Sequence, residues 1–175
     1  MRTPSVVEVE ANKKTMINEI IKTAFEEDLG DGDHSSLSCI PEEAKGEAKL
    51  IVKDKGIIAG VELAEKIFKS LDESLEVQIL IQDGENVDVG DVVFVVKGSS
   101  RSILGAERIV LNFMQRMSGI ATQTNSIVHL IKGTDVKLLD TRKTTPGLRY
   151  IEKWAVRIGG GHNHRFGLYD MIMLK

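Results

Sequence analysis

The stretch from Leu138 to Lys175 sets Arg142, Lys143, Arg149, Arg157, Arg165 and Lys175 among apolar runs and glycines. Cations placed that way point to a concave anion site. Two segments, LLDTRK and DMIMLK, each read as a short buried strand that delivers a charge at its C-terminal end, where α/β folds bind their ligands. In the first, Thr141, Arg142 and Lys143 offer a hydroxyl, a planar two-pronged donor and a point charge, a set suited to carboxylate plus phosphate. The alternative is a capped helix start with solvated charges, since Pro146 and Gly147 follow.

Three consecutive glycines, Gly159 to Gly161, permit close backbone approach and present His162, Asn163, His164 and Arg165 together. His162 and His164 share a face only in an extended segment. No Cys, Asp or Glu stands near enough in sequence to complete a metal shell, so contacts of His164 and Arg165 to an anion or a ring are favoured over metal ligation. Lys175 closes the DMIMLK run, and a lysine emerging from a buried strand calls for an anionic partner; the alternative is a mere terminal residue. Asp140 and Asp170 flank the two strands and could orient the cations or cap turns. Arg108 and Arg116 lie on one helix, with Glu107 the neighbour expected to pair. Serine-nucleophile motifs, P-loops and the GxGxxG fingerprint are absent.

The elements that must place these groups follow from periodicity. Apolar spacing predicts a helix over Thr15 to Leu29, stopped by LGDGD, and another over Glu62 to Leu71. Ala48 to Val52 and Gly56 to Val61 read as two strands around a Lys-Asp-Lys-Gly turn. Residues 76–104 give strand, turn, strand, strand with Asp83-Gly84 and Gly90-Asp91 as turns. A long helix is expected from Gly105, interrupted at Ser118-Gly119, with a domain boundary near residue 105. Strand Lys137 to Thr141, helix Leu148 to Arg157 and strand Tyr169 to Leu174 then make one βαβ unit of a parallel sheet or barrel.

At 175 residues and 42% hydrophobic content the chain can bury a real core. Net charge is −3, but residues 1–100 carry 11 Lys+Arg against 21 Asp+Glu, while residues 101–175 carry 12 against 5. The basic second half is the field an anion site needs. Few aromatics interleave with its cations, so nucleic acid is not the expected partner. Cys39 is the only cysteine, which excludes an intrachain disulfide and points to the cytoplasm. No apolar run approaches the length of a membrane span, and the first residues lack an export signal.

Four blocks, EDLGDGD (27–33), AERIVLNFMQRMSGIAT (106–122), LLDTRKTTPGLR (138–149) and GGGHNHRFGLYDMIMLK (159–175), together resemble the quinolinate phosphoribosyltransferases of the type II phosphoribosyltransferase family. The resemblance implies an α+β, sandwich-like N-terminal domain (1–105) followed by the first part of an α/β barrel (106–175). It implies pentosyl transfer: quinolinate and phosphoribosyl pyrophosphate, with Mg²⁺, give nicotinate mononucleotide, pyrophosphate and CO₂ for NAD synthesis. By motif, Thr141, Arg142, Lys143, His164, Arg165 and Lys175 would bind substrate, with Lys143 and Lys175 catalytic. Arg108 would reach the pocket across the interface of a homodimer or higher homo-oligomer. The resemblance also implies that the acids holding Mg²⁺ lie beyond this chain, that no metal ligand falls within it, and that the 175 residues alone are inactive. Two other readings remain at this stage: a paralogue with another substrate, which quinolinate-against-nicotinate activity would separate, and a structural fragment that is not an enzyme.

Overall fold

The computed structural model describes residues 6–174, with side chains from Lys14 onward. Helix α1 spans Val6–Asp28. It begins upstream of the expected Thr15 because no proline or glycine interrupts the sequence between Pro4 and Gly30. Its inward residues Ile17 and Ile21 are buried. The short α2 (His34–Cys39) follows, capped by Asp33, whose carboxylate accepts from the Ser36 N–H at 3.1 Å. That hydrogen bonding to Ser36 also holds the Asp33 carboxyl below its ordinary range.

Strands β1 (Lys45–Ile51), β3 (Glu76–Ile79) and β5 (Val92–Ser99) form an antiparallel sheet in the order β1-β5-β3. The Val-rich β5 is central, and both of its edges are paired. Strands β2 (Gly56–Ile57) and β4 (Asn86–Val87) form a separate two-stranded ribbon. The expected hairpin of residues 48–52 with 56–61 therefore does not exist. β1 pairs with β5 instead, and the backbone donors next to β2 are taken by a helix: Ile57 N–H donates to Thr122 Oγ1 and Ala59 N–H to Ser118 Oγ, both at 2.9 Å.

Helix α3 (Val61–Leu71) lays Leu63, Ala64, Ile67 and Phe68 on the sheet, where Phe68 meets Phe94 edge to face at 5.9 Å. Its first turn is capped from a distance. Asp83, read in sequence as a turn residue, accepts from Val61 N–H at 2.9 Å and Glu62 N–H at 3.1 Å.

Helix α4 (Ser100–Leu130) is the spine of the molecule. At 31 residues it runs for about 46 Å at 1.5 Å per residue. It starts at Ser100 rather than Gly105 and passes Ser118-Gly119 unbroken. Ser118 does not loosen the helix because its hydroxyl serves Ala59, and Gly119 lies on the exposed side. The inner face, including Ile109, Met114, Met117 and Ala121, joins the sheet and α3 to the second half of the chain in one core.

Helix α5 (Arg149–Ile158) packs on α4 through Ile151 and Ala155. The expected strand at 137–141 reduces to one parallel bridge, Leu139 with His162. It is closed by His162 N–H to Leu138 O at 2.9 Å and Asp140 N–H to His162 O at 3.0 Å. The parallel partner of LLD is thus the end of the glycine loop, not residues 169–174. Those residues form no strand: Met171 has φ +59°, incompatible with extended backbone, and Ile172 and Leu174 are 87% and 92% exposed. No helix among the described residues is long and apolar enough to cross a membrane.

Candidate active site

Two cation-bearing segments, residues 141–145 and 162–166, are held side by side by helix α5. Arg149, Glu152 and Lys153 lie at spacings of three and four, so they share one side of α5. Each grips one or both segments.

Lys153 is the most enclosed. Its side chain is 1% exposed and its ammonium donates to Asp140 Oδ1 at 2.5 Å and to His164 O at 3.0 Å. The same Nζ stands 4.9 Å from the centroid of the Phe166 ring, a cation–π contact. Asp140, 4% exposed, also accepts from His164 N–H at 2.8 Å and Asn163 Nδ2 at 2.6 Å. A buried carboxylate with three charged or polar donors is well compensated for its loss of water. The end of the 138–140 segment is thereby tied to the HNHR loop through Asp140, with Lys153 tied to both.

Arg149 makes a second bridge. Its guanidinium donates to Thr144 Oγ1 at 3.1 Å, to Phe166 O at 3.0 Å and to Arg142 O at 3.4 Å. This cation is spent on the fold. Arg142 behaves differently: its Nε is buried and has no hydrogen-bond partner among the described residues. A guanidinium N–H without a partner in such a place is what an incoming carboxylate would satisfy.

Glu152 secures the turn between Arg142 and α5. It accepts from Arg116 on α4 at 2.6 Å, and its other oxygen takes the Thr145 N–H at 3.3 Å. Arg116 also donates to Thr145 Oγ1 at 2.9 Å. Burial pushes the Glu152 carboxyl upward, but the hydrogen bonds from Arg116 and Thr145 outweigh it and leave the group below its ordinary range. Arg116 therefore pairs with Glu152, and no ion pair joins Arg108 to Glu107.

The triple glycine does not owe its composition to ligand approach. A β-carbon at Gly159 would press on the Ala121 carbonyl oxygen and lie 2.8 Å from Thr124 Cβ; one at Gly161 would lie 2.7 Å from Val156 Cγ1. The glycines let the chain turn off α5 directly against α4, and only Gly160, at φ +91°, needs the left-handed region. That turn aims the following HNHR residues back toward Asp140.

Of the residues expected at the site, Thr141, Arg142, Lys143, His164 and Arg165 are brought together on these two segments. Thr141 Oγ1 accepts from Lys143 N–H at 3.1 Å, which bends the backbone after Asp140, and the Lys143 side chain is exposed. Arg165 N–H donates to His164 Nδ1 at 2.7 Å, so the neutral ring carries its proton on Nε2 and can offer it to an anion. His162 is exposed, with its backbone in the bridge. Asp170 accepts from Phe166 N–H at 2.9 Å and shapes a turn. Arg108 is exposed on α4, and no hydrogen bond or ion pair among the described residues links it to either segment. Lys175 lies outside the described residues.

Two clefts, of about 420 and 490 Å³, open near the two ends of α5, and neither is lined by Arg142, Lys143, His164 or Arg165. Of these four, Lys143 is exposed and Arg142, His164 and Arg165 are half-buried. Sequence reasoning named Asp140 as a carboxylate that could orient the cations, the part its contacts give it, but overlooked Glu152 and Lys153 altogether. A signal was present: in YIEKWAV two charges interrupt a run of apolar residues, which is unusual unless both are paired.

The family descriptions "Quinolinate phosphoribosyl transferase, N-terminal domain" and "C-terminal domain" match residues 33–118 and 120–175. The chain belongs to the quinolinate phosphoribosyltransferase family. It is 51% identical over 157 residues to a chloroplastic nicotinate-nucleotide pyrophosphorylase [carboxylating] of Oryza sativa subsp. japonica, covering 89% of this chain and 42% of the rice protein. It is 44% identical over 159 residues to a probable nicotinate-nucleotide pyrophosphorylase [carboxylating] of Bacillus subtilis, covering 91% and 55%. The crystal structure of NadC from Streptococcus pyogenes superposes with a TM-score of 0.88 at 40% identity, covering 91% of this chain and 57% of that one. The chain spans about half the length of the curated relatives it matches. Within the family frame it comprises the N-terminal α+β domain and the start of the barrel domain, and both cationic segments fall in the latter.

Proposed function

We propose that the protein carrying this chain transfers the phosphoribosyl group of phosphoribosyl pyrophosphate to quinolinate, with decarboxylation to nicotinate mononucleotide, pyrophosphate and CO₂. The observation that carries the reading is Arg142: a buried guanidinium Nε with no partner among the described residues, next in sequence to Thr141 and Lys143 and held through Asp140 against the loop of His164 and Arg165. Quinolinate brings two carboxylates, and two guanidinium forks on separate segments suit them. Relatives named for this reaction add support.

In this reading Arg142 and Arg165 orient the pyridine ring through its carboxylates, while Lys143 and Lys175 balance the phosphates. His164 donates from Nε2. The ring nitrogen then attacks the anomeric carbon as the C–O bond to pyrophosphate breaks, and fixed cations favour the charge gathering on the leaving group. Loss of CO₂ from the ring carbon beside the nitrogen leaves the electron pair on that carbon, where the adjacent pyridinium charge stabilises it, and a proton from solvent then takes the place of the carboxylate. Mg²⁺ would arrive with the cosubstrate. Among the described residues no group of three or more His, Cys, Asp or Glu could hold it, and Asp140 and Glu152 are fully engaged, so no step is assigned to the ion here.

Further parts of the proposal are a homodimer or higher oligomer in which Arg108, exposed and unengaged among the described residues, completes a partner's pocket, a cytoplasmic setting, and a division between the two domains near residue 105. The deciding measurement is a calorimetric and NMR titration of the chain with quinolinate and, separately, nicotinate. Quinolinate is expected to bind more tightly and to shift the Arg142, His164 and Arg165 side-chain signals. Equal affinity for the monocarboxylate, or no shift at Arg142, overturns the reading.

A further inference from the structure

Lys153 and Asp140 call for an explanation that ligand binding does not supply. Both side chains are almost wholly enclosed, at 1% and 4% exposure, so neither can touch a substrate. Stability alone is a poor reason for the pair, because a buried ion pair is commonly no better than well-packed apolar residues of the same volume. What the pair does uniquely is geometric. Its contacts reach the two cationic segments and little else: Asp140 stands two residues before Arg142 and holds His164 N–H and Asn163 Nδ2, while Lys153 holds Asp140 and His164 O. Asn163 completes the lock by donating to Lys153 O at 2.8 Å. Leu139 and His162, the only parallel bridge among the described residues, sit directly alongside.

We propose that Lys153 and Asp140 are a positioning pair for the anion site, fixing the 141–143 segment against the 163–165 loop so that Arg142, His164 and Arg165 can meet one ligand. Without the pair the two segments share a single backbone bridge and the Arg149 contacts. Sub-ångström placement then depends on loops free to slide. The inference rests on the quinolinate reading for the identity of the ligand, but not for the geometry.

The test uses the 175-residue chain with Asp140→Asn, Lys153→Met and the double variant D140N/K153M, which leaves no unpaired buried charge. Long-range ¹⁵N–¹H spectra report the His164 tautomer, and quinolinate is titrated as the probe. In the folded double variant the His164 ring is expected to lose its single Nε2–H pattern, and the quinolinate dissociation constant to rise about ten-fold or more, as loss of one well-placed hydrogen-bonded contact does. A folded double variant with the wild-type His164 pattern and affinity within about two-fold overturns the proposal. So does a double variant that cannot fold, since the pair would then be holding the core rather than placing the site. If the wild-type chain ignores quinolinate while the variant still scrambles the His164 pattern, the substrate reading falls and the positioning pair stands.

Discussion

Gly159 meets Ala121 at the point where α5 leaves α4, so tightly that a β-carbon there would press on the Ala121 carbonyl oxygen. That contact brings the chain back toward Asp140 within a few residues. Gly159→Ala should destabilise by about 1–3 kcal/mol through overpacking against backbone that cannot move aside. Gly160→Ala should cost about 1–2 kcal/mol for a different reason, the left-handed φ of +91°. Gly119, exposed on α4 with nothing within 4 Å of an added β-carbon, should gain about 0.5–1 kcal/mol as alanine. Thermal melting of the three variants checks the order, and a stabilising Gly159→Ala would contradict the packing.

The α3 cap offers a second measurement. Asp83 accepts two backbone N–H groups of the first turn from a residue distant in sequence, and Gly60 at the N-cap position has no side chain to replace it. Asp83→Ala should cost about 1–2 kcal/mol, as loss of a capping oxygen does. Asp83→Asn should recover part of that, because one oxygen remains to accept. Denaturant midpoints of the two variants decide it.

Glu152 gives the chain a predictable response to acid. Its folded carboxyl titrates below the ordinary 4.5, burial being outweighed by the Arg116 and Thr145 hydrogen bonds. The unfolded chain therefore binds more protons near that value. The stabilisation is fully present above pH 4.5 and is lost as pH falls through the lower, folded value. Arg116 is half exposed, which screens the pair, so its contribution at neutral pH is about 1 kcal/mol. Glu152→Gln should lower stability by that amount at pH 7 and by less at an acid pH well below 4.5. A difference that stays constant between the two pH values would remove Glu152 from the account.

The helices α1, α3 and α5 were legible because each has an apolar stripe at helical period, which is a local signal. Strand partners were not. β1 and β2 are neighbours in sequence, yet their partners are β5 and β4, chosen by the need of the central Val-rich run for two edges and by the hydroxyls of Ser118 and Thr122. DMIML reads as a buried strand from its apolar content, but burial requires a neighbour, and the bridge to Leu139 is made by His162 instead. Likewise the cations of the site were visible as residue types, whereas Lys153 looked like an ordinary helix lysine. Its partner Asp140 is thirteen residues away, and only the fold of the glycine turn brings His164 to both.

Arg142 and Arg149 belong to the same short stretch and should nonetheless separate cleanly. Arg149 is engaged three times, to Thr144, Phe166 and Arg142 carbonyl or hydroxyl oxygens. Removing it leaves the Phe166 carbonyl without a donor and the Arg142 carbonyl with only the long Thr144 hydroxyl contact at 3.5 Å. Arg149→Ala should therefore cost about 2–3 kcal/mol of stability, with any loss of quinolinate binding following from displaced segments. Among the described residues Arg142 supplies no side-chain hydrogen bond to the fold, and its Nε is already without a partner. Arg142→Ala should change stability by less than about 0.5 kcal/mol, or raise it slightly, while weakening quinolinate binding by about 2–3 kcal/mol, the worth of a charge-assisted contact. Melting and calorimetric titration of both variants give the contrast. Two arginines that lose stability and affinity in the same proportion would mean that Arg142 is one more structural cation and not the group that meets the ligand.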